Sequence, residues 1–166
     1  MWITGLPGSG KTTIATSVCD YLRKRNSAVV QLDGDIFREI TANDLGYSIE
    51  DRLTNAWRIV RLCRVLAEQG LVVVCATVSL FREIHEWNRA NFPRYLEIYL
   101  RVDNETLLKR NADGLIGATL EKGGRNLIGL DQPFDEPECP DLVIENVDTG
   151  PKVSDSAERI AALVEL

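Results

Sequence analysis

The 166-residue chain has little of several things that would assign it quickly. There is one histidine, His85, between Glu83 and Glu86 on a helical stretch; it reads as a partly exposed structural residue that no catalytic step requires. The four cysteines, Cys19, Cys63, Cys75 and Cys139, follow no metal-ligand spacing, and three of them sit in apolar periodic segments, where cysteine behaves as a small buried hydrophobe. That usage predicts a reduced, cytoplasmic protein. No apolar run approaches the length that spans a bilayer and no secretory leader is apparent, so neither insertion nor export is expected. A basic excess is lacking too. The formal net charge of −6 argues against a nucleic acid or an acidic membrane surface as partner. Internal repeats and low-complexity tracts are absent.

What is present begins at residue 5. Gly5-Leu6-Pro7-Gly8-Ser9-Gly10-Lys11-Thr12-Thr13 follows the short apolar run Trp2-Thr4 and opens a helical stretch. Strand, glycine-rich loop, Lys and Thr, then helix is the context of a phosphate-binding loop, and the chain is therefore expected to handle a nucleoside triphosphate. Gly8 and Gly10 let the backbone curl so that successive N–H groups converge on phosphate oxygens, and the helix N-terminus adds partial positive charge. Lys11 is expected to reach the β- and γ-phosphates, Thr12 to ligate magnesium, and Thr13 to touch the α-phosphate. The ATP-binding set is read as Gly5 through Thr13 together with Arg110.

Short Val/Ile/Leu-rich runs alternate with longer amphipathic stretches along the whole chain. This is the pattern of βαβ units around a parallel sheet buried on both faces, and it predicts a single α/β, doubly wound domain over 1–166. Strands are expected at Trp2-Thr4, Ala28-Leu32, Leu71-Val78, Tyr95-Val102 and Leu142-Ile144. Helices are expected at Lys11-Lys24, Ile36-Asn43, Ile49-Gln69, Phe81-Asn91, Asn104-Lys109 and Val153-Val164. Between Asn111 and Asp141 the pattern dissolves into Gly, Pro and charge, too long for a simple connection. A mobile lid over about 111–131 would exclude water during phosphoryl transfer.

Two further clusters carry chemistry. Asp33-Gly34-Asp35 with Arg38 follows the second expected strand, at the carboxyl edge where open α/β sheets bind ligands. Asp35 is the candidate catalytic carboxylate and metal-positioning group, and Asp33 is suited to holding a water in the metal's shell. The alternative is that both aspartates cap the helix beginning near Ile36. In the second cluster, Ser48 or Asp51 is placed to cap a helix that carries Arg52 and Asn55 on one face. With Arg38 they form a receptor for an anionic acceptor. A nucleotide-binding switch would need the triphosphate loop but no such acceptor pocket, and the Asn-Lys-x-Asp stretch that selects guanine in many switches is absent. Trp57, Trp87 and Phe81 read as core or dimer contacts.

With these residues in place, nearly the whole chain resembles the adenylylsulfate kinases. The resemblance rests on the phosphate loop, Asp33-Gly34-Asp35 with Arg38, Leu45-Gly46-Tyr47-Ser48, Asp51-Arg52, Asn55, Ser79, Arg82, and Gly129-Leu130-Asp131 with Pro133. It implies a P-loop NTPase fold with a five-stranded parallel sheet, and Mg-ATP-dependent phosphorylation of the ribose 3′-hydroxyl of adenosine 5′-phosphosulfate. It further implies Lys11 and Asp35 in catalysis, Thr12 and Asp35 on the metal, and an acceptor set of Asp33, Arg38, Tyr47, Arg52, Asn55, Ser79, Arg82, Arg125 and Leu127. A tendency to form homodimers is also implied. Tyr47 and Leu127 match positions where the family clamps adenine between two phenylalanines. Ser79-Leu80 replaces its Ser-Pro, and Asp113 and Ile116 replace its usual Lys and Tyr. Those departures resemble a branch that phosphorylates cytidine diphosphoramidate in capsule biosynthesis, which is the alternative acceptor.

Overall fold

The computed structural model describes residues 1–25, 28–111, 128, 132–147 and 150–164. In chain order these form β1 (Trp2–Thr4), α1 (Lys11–Arg23), β2 (Val29–Asp33), α2 (Gly34–Ile40), α3 (Ile49–Glu68), β3 (Val72–Thr77), α4 (Arg82–Asn91), β4 (Glu97–Arg101), α5 (Asn104–Asn111), β5 (Leu142–Glu145) and α6 (Val153–Ala162). The lid expected over 111–131, with Arg125, Leu127 and Gly129-Leu130-Asp131, lies outside the described residues except for Asn111 and Ile128.

The five strands make one sheet in the order β2-β3-β1-β4-β5, and every pairing is parallel. Side chains alternate between its faces with the period of two that a strand imposes. Ile3, Val74, Ala76, Ile98 and Leu100 face Ile14, Val18 and Leu22 of α1 and Ala157 and Ile160 of α6. Trp2, Val73 and Cys75 face the other way, onto Phe37 of α2, Ala56, Ile59, Val60 and Cys63 of α3, and Ile84 of α4. The strands are apolar at consecutive positions because both faces are covered. Each of the fully buried Ile and Leu side chains contributes roughly 1.5–3 kcal/mol, so truncating Ile14 or Ile59 would open a cavity directly against the sheet.

The strand order places the site. β1 and β3 are neighbours, yet the chain leaving β1 returns at β2 on one side while the chain leaving β3 returns at β4 on the other. A crevice opens where the connections diverge, beyond the carboxyl ends of those strands.

Several boundaries move from their expected positions. α2 begins at Gly34 because Asp33 caps it, its side chain accepting from the Asp35 N–H. It stops at Ile40 because Ala42 and Asn43 turn to positive φ, 56° and 51°, with the Asn43 N–H closing back on the Arg38 carbonyl. Ser48 caps α3, accepting from the Asp51 N–H while its hydroxyl donates to the Asp51 carboxylate. α3 and α4 are joined by the edge-to-face pair Trp57–Trp87, so those two rings are core contacts. Cys19, Cys63 and Cys75 are buried and Cys139 is exposed, all as free thiols. No described helix is long and apolar enough to cross a membrane.

Candidate functional site

The crevice is a cavity of about 390 Å³ lined by the loop after β1, the start of α2, one face of α3 and the segment after β3. Gly8 and Gly10 take left-handed φ values of 80° and 88°, which puts the loop's amides on its concave side. Gly10 is also the N-cap of α1 and supplies no side-chain bond, so the helix's first N–H groups have no cap from within the loop. A methyl group at Gly10 would sit 2.6 Å from Asn146 Nδ2. That amide donates to the Ser9 carbonyl at 2.7 Å and braces the loop from the end of β5. Pro7, Gly8, Gly10, Lys11, Thr12 and Thr13 line the cavity. Gly5, Leu6 and Ser9 instead face inward as the loop's support, Leu6 within an apolar cluster and Gly5 against Leu100.

Lys11 is only 9% exposed, and its ammonium donates to the Leu6 carbonyl at 2.9 Å. Burial pushes its pKa down to about 8, against the opposing pull of the Asp35 and Asp33 carboxylates. Asp33 caps α2, as one of its two readings from sequence expects, and is also tied to the phosphate loop. One oxygen accepts from the Asp35 N–H at 2.9 Å, as a helix cap, and the other accepts from the Thr12 hydroxyl at 2.7 Å. Asp35 itself is exposed on the cavity wall. Thr12, Asp33 and Asp35 thus offer oxygen donors on one wall. Among the described residues there is no cluster of three His, Cys, Asp or Glu side chains to cage a metal. A hydroxyl with one or two carboxylates, completed by phosphate oxygens and water, is what magnesium takes, so the donor set fits that ion.

Arg38, which also lines the cavity, is buried, and its Nη1 donates to the carbonyls of Leu45 and Gly46 at 3.1 and 3.0 Å. Its guanidinium lies 4.6 Å from the centre of the Tyr47 ring, and that of Arg52 lies 5.2 Å away. Arg52 Nε also donates to the Tyr47 carbonyl at 3.1 Å. The arginines therefore shape the Leu45-Tyr47 loop as well as charging the cavity. Asn55 lines the cavity while 6% exposed, and its Oδ1 has no hydrogen-bond partner among the described residues. A buried amide oxygen left in that state is costly unless a ligand donates to it. The hydroxyls of Ser79 and Thr77, both cavity-lining residues, share a 2.9 Å bond.

The structure brings together Lys11, Thr12, Thr13, Asp33, Asp35, Arg38, Tyr47, Arg52, Asn55 and Ser79. Arg82 and Arg110 are not on the cavity wall. Arg82 is exposed and pairs with Glu138, and its backbone N–H donates to the Asp135 carboxylate at 3.2 Å. Arg110 donates to the Asn146 carbonyl at 2.8 Å, next to the brace on the loop. Arg125 and Leu127 lie outside the described residues; Gln132, beyond them, donates to the Tyr47 carbonyl at 3.3 Å.

Phe81, expected as a core or dimer contact, packs on the core and also lines the cavity, since it is the N-cap of α4 directly after the β3 segment. One expectation is corrected. His85 is buried, not partly exposed, because α4 turns it inward onto the Ser79 carbonyl. Thr77 and Asn146 were not anticipated. The end of β3 hinted at Thr77, whereas nothing local marks Asn146, which acts across 137 positions of sequence.

Comparison with known proteins places this geometry. The family model described as adenylylsulphate kinase matches residues 1–145. A cytidine diphosphoramidate kinase of Campylobacter jejuni is 38% identical over 88% of this chain and 85% of its own length. A probable adenylyl-sulfate kinase of Aeropyrum pernix is 37% identical over 87% of this chain and 81% of its own. Among solved structures, the APS kinase CysC of Mycobacterium tuberculosis in complex with AMPPNP and APS superposes with a TM-score of 0.89 at 27% identity, covering 99% of this chain and 96% of that one.

Proposed function

This chain belongs to the adenylylsulphate kinase family, and we propose that it moves the γ-phosphoryl group of ATP onto the ribose 3′-hydroxyl of adenosine 5′-phosphosulfate. The observation that carries this reading is one cavity with two unlike halves. A triphosphate loop with Lys11 and Thr12 forms one wall, Arg38, Arg52, Asn55 and Ser79 form the other, and Asp35 lines the space they enclose. A protein that only bound a nucleotide would have no use for the second wall.

In the proposed reaction the loop's amides and Lys11 hold the β- and γ-phosphates of ATP. The Lys11 ammonium, now on the Leu6 carbonyl, exchanges that neutral acceptor for phosphate oxygens. Thr12, Asp33 and Asp35 would hold magnesium, which when bound neutralises charge on the β- and γ-oxygens. Arg38 and Arg52 hold the acceptor's anionic tail, and Asn55 offers its unpaired oxygen to a donor on the acceptor. Asp35 accepts the proton of the 3′-hydroxyl as that oxygen bonds to the γ-phosphorus and the bond to the β-phosphate oxygen breaks, releasing ADP. The rate gain comes mainly from alignment and charge stabilisation.

The alternative acceptor, cytidine diphosphoramidate, keeps the donor and the hydroxyl and changes the base and tail. It is supported by the 38% identical relative of that name and by Tyr47, whose ring already receives two guanidinium groups and has less face to give an adenine. ADP release measured with each acceptor in parallel decides between them. Turnover with the adenosine compound is expected, and turnover with the cytidine compound alone would replace the first reading by the second. The buried free thiols Cys19, Cys63 and Cys75 support a reducing, cytoplasmic setting for this chemistry.

A further inference from the structure

His85 stands in the first turn of α4 with its ring buried between two fixed groups. Nε2 lies 2.8 Å from the Ser79 carbonyl oxygen, and since a carbonyl only accepts, Nε2 carries a proton and donates it. Nδ1 lies 3.4 Å from Glu97 Oε1. Glu97 is 2% exposed at the start of β4 and is itself held, by Arg89 Nη2 at 3.1 Å and the Tyr95 hydroxyl at 3.3 Å. Arg89 in turn reaches the Cys139 carbonyl and the Asp141 carboxylate. A chain of polar contacts thus runs from the start of β5, through β4, to the segment that follows β3.

The far end of that chain is part of the cavity. Ser79 turns its hydroxyl to Thr77 on the cavity wall and its carbonyl to His85 behind the wall. Holding one residue by both groups fixes its backbone torsions, and with them the direction in which Leu80 and Phe81 leave. Leu80 and Ile84 are fully buried and already fill the apolar space around the turn. His85 is buried beside them, with Nε2 on the Ser79 carbonyl and Nδ1 on the side of Glu97.

We propose that His85 is a positioning residue for the acceptor: its Nε2–H fixes the Ser79 carbonyl and so sets the Ser79–Phe81 wall against which the acceptor nucleotide is held. This rests on the reading that this wall belongs to the acceptor half of the cavity. The side-chain contacts of His85 run to Ser79 and Glu97, and neither residue belongs to the phosphate loop.

The test compares wild type, His85→Ala and His85→Gln by ADP release, with KM measured separately for acceptor and for ATP. The Gln side chain can place its amide nitrogen where Nε2 stands, keeping the bond to Ser79 without the ring. Losing one buried hydrogen bond at a binding wall should raise the acceptor KM of the Ala variant about tenfold or more, with the ATP KM within about twofold and the Gln variant within about threefold of wild type. Equal shifts in both KM values, an unchanged acceptor KM in the Ala variant, or a Gln variant no better than Ala would overturn the role. If His85→Ala does not fold, His85→Leu, which fills the ring's space without a donor for the Ser79 carbonyl, carries the same test: a rise in acceptor KM alone supports the role, and a uniform change or none refutes it. A wild type that turns over neither acceptor would refute the acceptor reading and this role together, whereas an active wild type with uniformly shifted variants refutes the role alone.

Discussion

Raising the pH through 8 should weaken nucleotide binding by discharging a single ammonium group. Lys11 is 9% exposed, and burial brings its pKa from 10.5 down to about 8. Such a depression corresponds to about 3 kcal/mol of bias against the charged form in the folded protein without nucleotide. The charge is nonetheless the form that binds phosphate. Two consequences of opposite sign follow. Between about pH 8 and 10.5 the unfolded chain binds more protons at Lys11 than the folded one, so the unliganded protein's stability should rise with pH over that window. Nucleotide affinity should fall over the same window, by up to about tenfold per pH unit, because each binding event must first recharge the lysine. Titration calorimetry with ADP, in buffers of different ionisation enthalpy, reads both the affinity and the proton count. Near zero protons should be taken up at pH 7 and close to one at pH 9. Lys11→Arg, which stays charged throughout, should flatten the profile even if its affinity is lower. Affinity constant from pH 7 to 9.5 with no proton uptake would refute the claim that burial governs this group.

The remaining predictions concern the neighbours of that lysine. Asp35→Ala should lower kcat by about a hundredfold or more while ADP affinity at pH 7 stays within about threefold, in steady-state and calorimetric assays. It should also move the pH midpoint of ADP binding downward, since Asp35 is the leading charge that opposes the depression of Lys11; unchanged turnover would remove Asp35 from catalysis. Asn146→Ala deprives the Ser9 carbonyl of its 2.7 Å donor and should cost about 1–3 kcal/mol in chemical denaturation, with a raised ATP KM. Intact stability and ATP KM would mean that the loop holds its shape without the brace.

The two halves of the cavity differ in how far they can be read from sequence, and the difference follows from what recognises each ligand. Triphosphate is gripped mainly by backbone amides, and the backbone shape depends on glycines and a helix start within ten residues, so Gly8, Gly10, Lys11 and Thr12 are legible as one local word. The sheet is legible for a similar reason, because apolar runs between amphipathic stretches repeat locally. The acceptor wall is legible only in pieces, as Arg38 beside Asp35 and Arg52 with Asn55 on one helix face, and not as a wall. Arg38, Arg52, Asn55, Ser79 and Phe81 come from three segments that meet only after β3 has been laid beside β1. Asp33 shows what even a local motif leaves out: a helix cap is legible in sequence, but a carboxylate has two oxygens, and the second here accepts from Thr12 of the phosphate loop. His85, flanked by Glu83 and Glu86, carries the look of a solvent-facing position. Its burial follows from the turn of α4 against the β3 segment and from Glu97, which stands at the start of another strand. Asn146 is the extreme case, with no motif around it and a bond that reaches the loop after β1 from the end of β5, two strands away. A ligand half built from backbone is therefore written in one stretch of residues. One built from side chains is written in the topology, which here leaves the carboxylate of Asp35 lining the space between the two halves.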